Sequence, residues 1–207
     1  MSDLHNALRE RLTELSVVQY RKIRKDYYDA VNGIIGDYMA SPGANYRGYQ
    51  EKMRKATVAA YVASAKAVSK KVDDKWLKVK IALVLLFLAK LWEDLWQIKK
   101  SRQRTEEELD EIAATHAKNY AVGLDGVYNE TNVRRVKNKL LKFDGFDGKP
   151  PEFPCQTCDY LKGQVHYAKW WIENDLIPYQ GNQNYSCGCW GCKHGLFDVE
   201  TGKAVTL

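Results

Sequence analysis

The chain has 207 residues, five cysteines and a formal net charge of +6. A chain of this length can bury a hydrophobic core, so its whole fold is not expected to depend on disulfides or metal ions. The first residues mix charged and apolar positions and lack the apolar segment of a secretory signal, so a reducing compartment is expected. In such a compartment clustered thiols bind metals more often than they form disulfides.

The positive charge lies in the first three quarters of the chain. Up to residue 150 there are 28 Lys and Arg against 20 Asp and Glu, whereas residues 151–207 carry 4 against 6. A basic helical region can attract nucleic acid by neutralising its phosphates. Here, however, the cations alternate with acids and form no long block, which is typical of solvated helix faces.

Three helices are predicted before residue 105. From Asp3 to Met39, apolar residues recur every three to five positions, which is the spacing of an amphipathic helix. An alanine-rich second helix is predicted over Tyr49–Lys71, and a third begins near Trp76.

The third helix contains nine consecutive apolar residues, Ile81 to Ala89. A membrane-spanning helix needs about 20, so no stable membrane insertion is expected. A segment that is apolar on all sides must be covered on all sides, and we expect it to be buried at the centre of a helical core. Two alternatives remain open: packing against another subunit and transient insertion into a membrane.

A fourth helix has a clear start signal. Thr105 with Glu108 three residues later forms a capping box, and Gly123 predicts the end of this helix after Val122. A shorter helix is predicted over Thr131–Leu141. It carries a basic cluster that is the candidate nucleic-acid surface: Arg134, Arg135, Lys137 and Lys139. The proline- and glycine-rich stretch that follows predicts a linker.

The cysteines form two C-x-x-C pairs, Cys155 with Cys158 and Cys189 with Cys192. Two thiolates three residues apart can reach one ion, and two such pairs supply the four thiolates of a closed tetrahedral zinc site. Disulfide pairing, unliganded buried cysteines and iron in place of zinc remain alternatives. Within the ligand set, Cys187 could replace Cys189, and His194 could replace Cys192.

The sequence predicts no enzyme. Its histidines are His5, His116, His166 and His194, and none lies in the Asp-His pattern that a nuclease of the HNH type requires. No glycine-rich phosphate loop or Ser/His/Asp order is present. A reactive thiol needs an electropositive setting, whereas the cysteine-rich part is net acidic.

The predicted fold is mainly α. A multi-helix region covers residues 1–143, a linker covers 144–154, and a small irregular zinc-stapled module covers 155–207. The module ends in a β-hairpin, because "LFDVETGKAVTL" places alternating apolar residues on both sides of a glycine-containing turn.

The cysteine-rich part resembles the C-terminal module of phage minor head proteins, the head-morphogenesis family of phage Mu and its relatives. The resemblance is carried by the first C-x-x-C pair, by the turn at Leu161, Lys162 and Gly163, and by a segment with Pro178 and Gly181. Cys187, Cys189 and Cys192 stand where the family has its terminal cysteine cluster. Here the histidine follows these cysteines, whereas the family has a His-Pro motif before them.

The resemblance implies a structural protein of the virion, present in the host cytoplasm during assembly. It implies docking to the portal or the major capsid protein, an oligomeric arrangement in the virion, and packaged DNA as a further partner. The alternative function is that of a zinc-stapled nucleic-acid-binding protein that uses its basic helices.

Overall fold

The computed structural model describes residues 2–41, 43, 45–101, 103–145, 155–188 and 194–207, and for residues 2–13 and 15 it describes the backbone alone. Over these residues the fold is mainly α, as predicted. The chain divides into two compact units, Met1–Ala121 and Val122–Leu207. The predicted organisation into 1–143, 144–154 and 155–207 stays a prediction, because residues 146–154 lie outside the described part of the chain.

Four long helices precede the small sheet. They are α1 (Ser2–Ala40), α2 (Tyr46–Val68), α3 (Asp74–Ser101) and α4 (Glu106–Arg135). Most ends of the first three helices lie within three residues of the predicted ends. Their apolar spacing and the breaks between them are both clear in the sequence.

In the first unit, α1 packs on α2 and α2 on α3. The hydroxyls of Tyr27 and Thr57, both buried, are 2.8 Å apart and hydrogen-bonded across the α1–α2 interface. At the end of α1, Lys99 donates to the backbone carbonyls of Tyr38 and Ser41, each at 2.5 Å. The ammonium of Lys99 thereby satisfies carbonyl groups that a helix end leaves without partners.

The expectation that the apolar run of α3 is buried on all sides was wrong. Leu88 is buried, but Leu83, Leu86 and Phe87 are exposed. One side of α3 faces the core and the other lies open. Among the described residues, no helix is both long enough and apolar enough to cross a membrane.

The capping box that begins α4 is confirmed. The backbone N–H of Glu108 donates to Thr105 Oγ1 at 3.2 Å, and the backbone N–H of Thr105 donates to Glu108 Oε2 at 3.1 Å. The predicted end at Gly123 was wrong, because α4 continues to Arg135. A glycine in a helix costs about 1 kcal/mol, and the burial of Leu124 and Val127 just beyond it offsets that cost.

The second unit contains a three-stranded antiparallel sheet that was not predicted. Its strands are β1 (Leu140–Gly145), β2 (Val165–Tyr167) and β3 (His194–Asp198), in the order β2-β1-β3. The short helices α5 (Gln156–Leu161) and α6 (Ala168–Glu173) flank β2 in the chain. The predicted helix over Thr131–Leu141 was therefore wrong beyond Arg135.

The predicted terminal hairpin is confirmed. Phe197 pairs with Ala204, and the backbone N–H of Asp198 donates to the carbonyl of Lys203 at 2.9 Å. Gly202 has φ +67°, a conformation that favours glycine in the turn.

A hydrophobic core lies under the sheet. The indole N–H of Trp171 donates to the carbonyl of Leu141 at 3.3 Å, and the Trp171 ring is stacked on that of Phe143 at an interplanar angle of 23°. The buried members of this core are Val133, Leu141, Phe143, Cys158, Leu161, Ala168, Trp171, Ile177, Tyr185 and Leu196. One cysteine is therefore part of the core itself.

Candidate metal centre

Three thiols from two distant segments meet beside this core. The sulfur atoms of Cys155, Cys158 and Cys187 all lie within 4.8 Å of one another. Cys158 is buried, and Cys155 and Cys187 are half-buried. None of the three is in a disulfide. This group could hold a metal ion.

The first two thiols are positioned by the start of α5. Cys155 is the N-cap, and its sulfur accepts a hydrogen bond from the backbone N–H of Cys158 at 3.3 Å. Its carbonyl accepts from the N–H of Asp159 at 2.9 Å. An N-cap side chain and the residue three positions later lie on the same side of the first turn. The C-x-x-C spacing therefore places both sulfurs on one side of that turn.

The loop that leads to Cys187 is held in place by hydrogen bonds from its own side chains. The buried Asn182 donates from its side-chain amide to the carbonyls of Ile177 and Asp175, at 2.9 and 3.2 Å. Its side-chain oxygen accepts from the backbone N–H of Asn184 at 2.9 Å. The Tyr185 hydroxyl donates to the carbonyl of Leu176 at 2.8 Å. The loop before Cys187 is thus stabilised by polar side chains as well as by apolar packing.

Thr157 joins the two cysteine segments. Its hydroxyl oxygen accepts a hydrogen bond from the backbone N–H of Ser186 at 3.1 Å. Because Thr157 stands between Cys155 and Cys158, and Ser186 immediately precedes Cys187, this bond fixes the third thiol relative to the first two.

The site favours ionised sulfur. Burial raises the pKa of the Cys155 thiol, but hydrogen bonds from Cys187 and from the Ser186 hydroxyl act in the opposite direction. The backbone N–H of Cys158 adds to their effect, and the pKa falls from 9.0 to about 7. The thiolate is the form of cysteine that binds metals.

The three sulfurs fit the requirements of a soft metal ion. With Zn–S bonds of about 2.3 Å in a tetrahedral site, neighbouring sulfurs are about 3.8 Å apart, which is compatible with a mutual separation within 4.8 Å. Thiolates select zinc, iron or monovalent copper over hard cations such as magnesium. A closed zinc site takes four ligands, and the described residues supply three.

The structure describes three of the five predicted or alternate thiol ligands. Cys155 and Cys158 lie in the group, and Cys187, the alternate to Cys189, lies with them. Cys189 and Cys192 fall outside the described residues. His194, the alternate to Cys192, is buried in β3, where its ring is stacked on Phe143 with centroids 5.1 Å apart, and it is not a member of the three-thiol group.

The basic cluster is only partly available to a ligand. Arg134 donates to Glu130 at 2.8 Å, and Lys139 donates to Asp198 at 2.5 Å and to Glu200 at 3.1 Å. The other two members, Arg135 and Lys137, are exposed.

Thr157 and Asn182 were not predicted as parts of the site. Thr157 could have been noticed because it lies inside the C-x-x-C pair. Asn182 lies in "GNQN", a composition typical of turns in which asparagine side chains bind the backbone. Neither signal indicates which segment the side chain contacts.

Comparisons of the chain with protein-family models, with curated proteins and with solved structures found no match. The resemblance to phage minor head proteins stays a prediction from the residues around the cysteines.

Proposed function

We propose that the three thiols belong to a structural zinc site and that the protein is a phage head-morphogenesis protein whose zinc-stapled module docks to the portal or capsid. The observation that carries this proposal is the convergence of Cys155, Cys158 and Cys187 beside the core of the second unit. Cys189 and Cys192 are the sequence candidates for the fourth ligand.

A metal would stabilise this unit by joining segments that are far apart in sequence. The second unit has only 86 residues, Val122–Leu207, and much of it is loop. Small units of this kind commonly depend on a metal or disulfides in addition to their core. Zinc supplies binding free energy that is also folding free energy, and a site with four protein ligands has no open position for a substrate.

A structural role also agrees with the surroundings of the histidines. His166 is stacked on Trp170 with centroids 3.8 Å apart, and His194 is buried against Phe143. In α4, burial lowers the pKa of His116, and the nearby Asp94 opposes this effect. The rings of His166 and His194 are thus engaged in packing, and that of His116 is half-buried.

DNA binding is the less well supported function, because Arg134 and Lys139 are engaged with acidic side chains. The two functions differ in salt dependence. A DNA-binding protein would lose affinity steeply as salt rises, with Arg135 and Lys137 setting the slope, whereas a docking protein would be found in purified particles at a fixed low copy number.

The metal is tested first by elemental analysis of the purified protein. We expect about one zinc per chain, as one closed site would hold. Protein prepared without chelator that contained neither zinc nor iron would contradict the metal site.

The docking role is tested by complementation with Cys158→Ser. The variant replaces a thiolate with a hard oxygen, so we expect the second unit to become protease-sensitive and the protein to be missing from purified particles. Thr201→Ser, a conservative change at an exposed residue in the turn of the terminal hairpin, is the matched control and should be incorporated normally. Normal incorporation of a protease-sensitive Cys158→Ser protein would show that docking uses the helices instead.

A further inference from the structure

Two of the three thiols are accessible from solvent. Cys155 and Cys187 are half-buried, whereas Cys158 is buried in the core of the second unit. The sulfur atoms of Cys155 and Cys187 lie within 4.8 Å of each other, and the Cys187 thiol donates a hydrogen bond to the Cys155 sulfur. A small oxidant can therefore reach both members of one contacting pair.

Backbone hydrogen bonds hold the segment that carries Cys187 without the help of a metal. On one side of it, the N–H of Ser186 donates to Thr157 Oγ1 at 3.1 Å. On the other side, the N–H of Gly188 donates to the carbonyl of Tyr185 at 2.8 Å, and Gly188 has φ +57°, a conformation that favours glycine. None of these bonds involves a sulfur atom. The third thiol therefore stays beside the first two when a metal leaves.

We propose that the site can exchange its metal for a disulfide: the reduced thiols hold zinc, and a peroxide joins Cys155 to Cys187 and thereby releases the ion. The inference rests on the proposed metal site and concerns the regulation of that site. A disulfide requires its sulfurs to approach to about 2.05 Å, and rotation of two half-buried side chains between rotamers covers the remaining distance. The bond connects the start of α5 to the loop before β3, which are the same two segments that the metal connects.

The reaction takes two electrons from the two sulfurs and gives them to the peroxide. Metal binding keeps the thiols ionised. The Cys155 thiolate attacks one oxygen of the peroxide, so an S–O bond forms, the O–O bond breaks and hydroxide leaves. The Cys187 thiolate then attacks the sulfur of this sulfenic acid, so the S–S bond forms, the S–O bond breaks and a second hydroxide leaves. Two protons from solvent convert both hydroxides to water, and the zinc ion keeps its charge throughout.

A disulfide that includes Cys158 fits the structure less well. Its sulfur is buried, so an oxidant reaches it less easily than it reaches Cys155 or Cys187. A bond between Cys155 and Cys158 would also close only one turn of α5 and would leave the loop of Cys187 unattached. A cross-link that closes a longer loop restricts the unfolded chain more strongly. The Cys155–Cys187 bond is therefore the one that can replace the metal as a cross-link.

Such an exchange suits a protein that leaves the cell in a particle. Cytosolic thiols keep cysteines reduced, which favours metal binding, whereas disulfides persist in oxidising surroundings. A head-morphogenesis protein made in the cytoplasm would pass from the first condition to the second. Its second unit would keep a cross-link between α5 and the loop in both.

Oxidation of the purified full-length, zinc-loaded protein tests the proposal. Elemental analysis before oxidation reports on the metal site alone, so a protein without metal would be recognised as a failure of that site. A small excess of hydrogen peroxide should then transfer the zinc to a chromophoric chelator. Digestion with trypsin separates the described thiols, because Cys155 and Cys158 lie in residues 143–162 and Cys187 lies in residues 170–193.

Mass spectrometry of this digest, made without reductant, identifies the disulfide. We expect the two peptides to be joined, with fragment ions that place the bond between Cys155 and Cys187. Any other pairing as the main product, including one that involves Cys189 or Cys192, would overturn the proposal. So would oxidation to sulfinic acid without a disulfide.

Limited proteolysis tests whether the disulfide replaces the metal. The oxidised, zinc-free protein should resist protease as the zinc-loaded protein does, whereas the reduced protein in chelator should lose its second unit. The matched control is the oxidised protein treated with dithiothreitol. With zinc present it should recover its metal, and with chelator present it should become protease-sensitive. An oxidised protein that carries the Cys155–Cys187 bond but is degraded as fast as the chelated protein would overturn the exchange.

Discussion

Thr157 shows how a residue that binds no metal can position one that does. Its hydrogen bond to the backbone of Ser186 connects the turn that carries Cys155 and Cys158 to the loop that carries Cys187. Residues that orient metal ligands are often nearly as important to affinity as the ligands themselves.

We expect Thr157→Val to weaken metal binding by about tenfold, because valine keeps the shape of threonine but cannot accept the Ser186 N–H. Competition with a chromophoric chelator measures the affinity. Thr157→Ser keeps the hydroxyl and should bind metal like the original protein. Equal affinities of all three proteins would show that the Ser186 bond does not position Cys187.

Asp198, in β3, forms an ion pair with Lys139, which lies immediately before β1. Burial raises the pKa of Asp198, but the hydrogen bonds from Lys139 and from the backbone N–H of Glu200 outweigh it and lower the pKa below 3.8. The folded protein therefore favours the carboxylate. The resulting stability is present above the ordinary pKa of aspartate and is lost as the pH falls through the lowered value.

We expect Asp198→Asn to reduce the free energy of unfolding by about 1 kcal/mol at pH 7, since the variant keeps the bond to the Glu200 N–H but loses the charge. The difference from the original protein should shrink as the pH falls below about 4. Urea unfolding at a series of pH values measures this difference in the free energy of unfolding. Because both proteins carry the same thiols, any loss of metal in acid affects them equally and does not contribute to the difference. A difference that does not change with pH would rule out the charge as its cause.

At the scale of secondary structure, the helices could be predicted and the sheet could not. The capping box of Thr105 and Glu108 is a local signal, and it is present as predicted. Strand β1 pairs with residues that come much later in the chain, and nothing within "LLKFDG" indicates that partner. The same limit applies to the metal site: the C-x-x-C turn is local, whereas the approach of Cys187 depends on Asn182 and Thr157.

Glycines within the helices give a matched pair of tests. An added Cβ at Gly33, in α1, would meet nothing within 4 Å, whereas at Gly126, in α4, it would lie 3.0 Å from the ring of Tyr179. We expect Gly33→Ala to stabilise the protein by about 0.5–1 kcal/mol through helix propensity. Gly126→Ala should instead lower the melting temperature, because the ring must move. Thermal unfolding followed at 222 nm distinguishes the two, and equal effects would contradict the described packing of α4.

At the scale of the whole molecule, the chain forms two compact units, and the thiol group and the core beside it both belong to the second. We expect a strong chelator to remove a lower-temperature calorimetric transition, that of Val122–Leu207, and to leave the helical transition of Met1–Ala121 in place. Cys158→Ser without chelator should give the same trace. A single transition that moves as a whole on chelation would show that the units unfold together.

The position of β1 in the middle of its sheet affects the order in which the chain can fold during synthesis. Strand β1 ends at Gly145, but its partner β3 does not begin until His194. At about 5–20 residues per second, the ribosome takes roughly 2 to 10 s to make that stretch. During this interval α1, α2 and α3 are complete and can pack, while one edge of β1 has no partner and is exposed to pairing with other nascent chains. Faster translation of the last third of the message should therefore increase the yield of soluble protein.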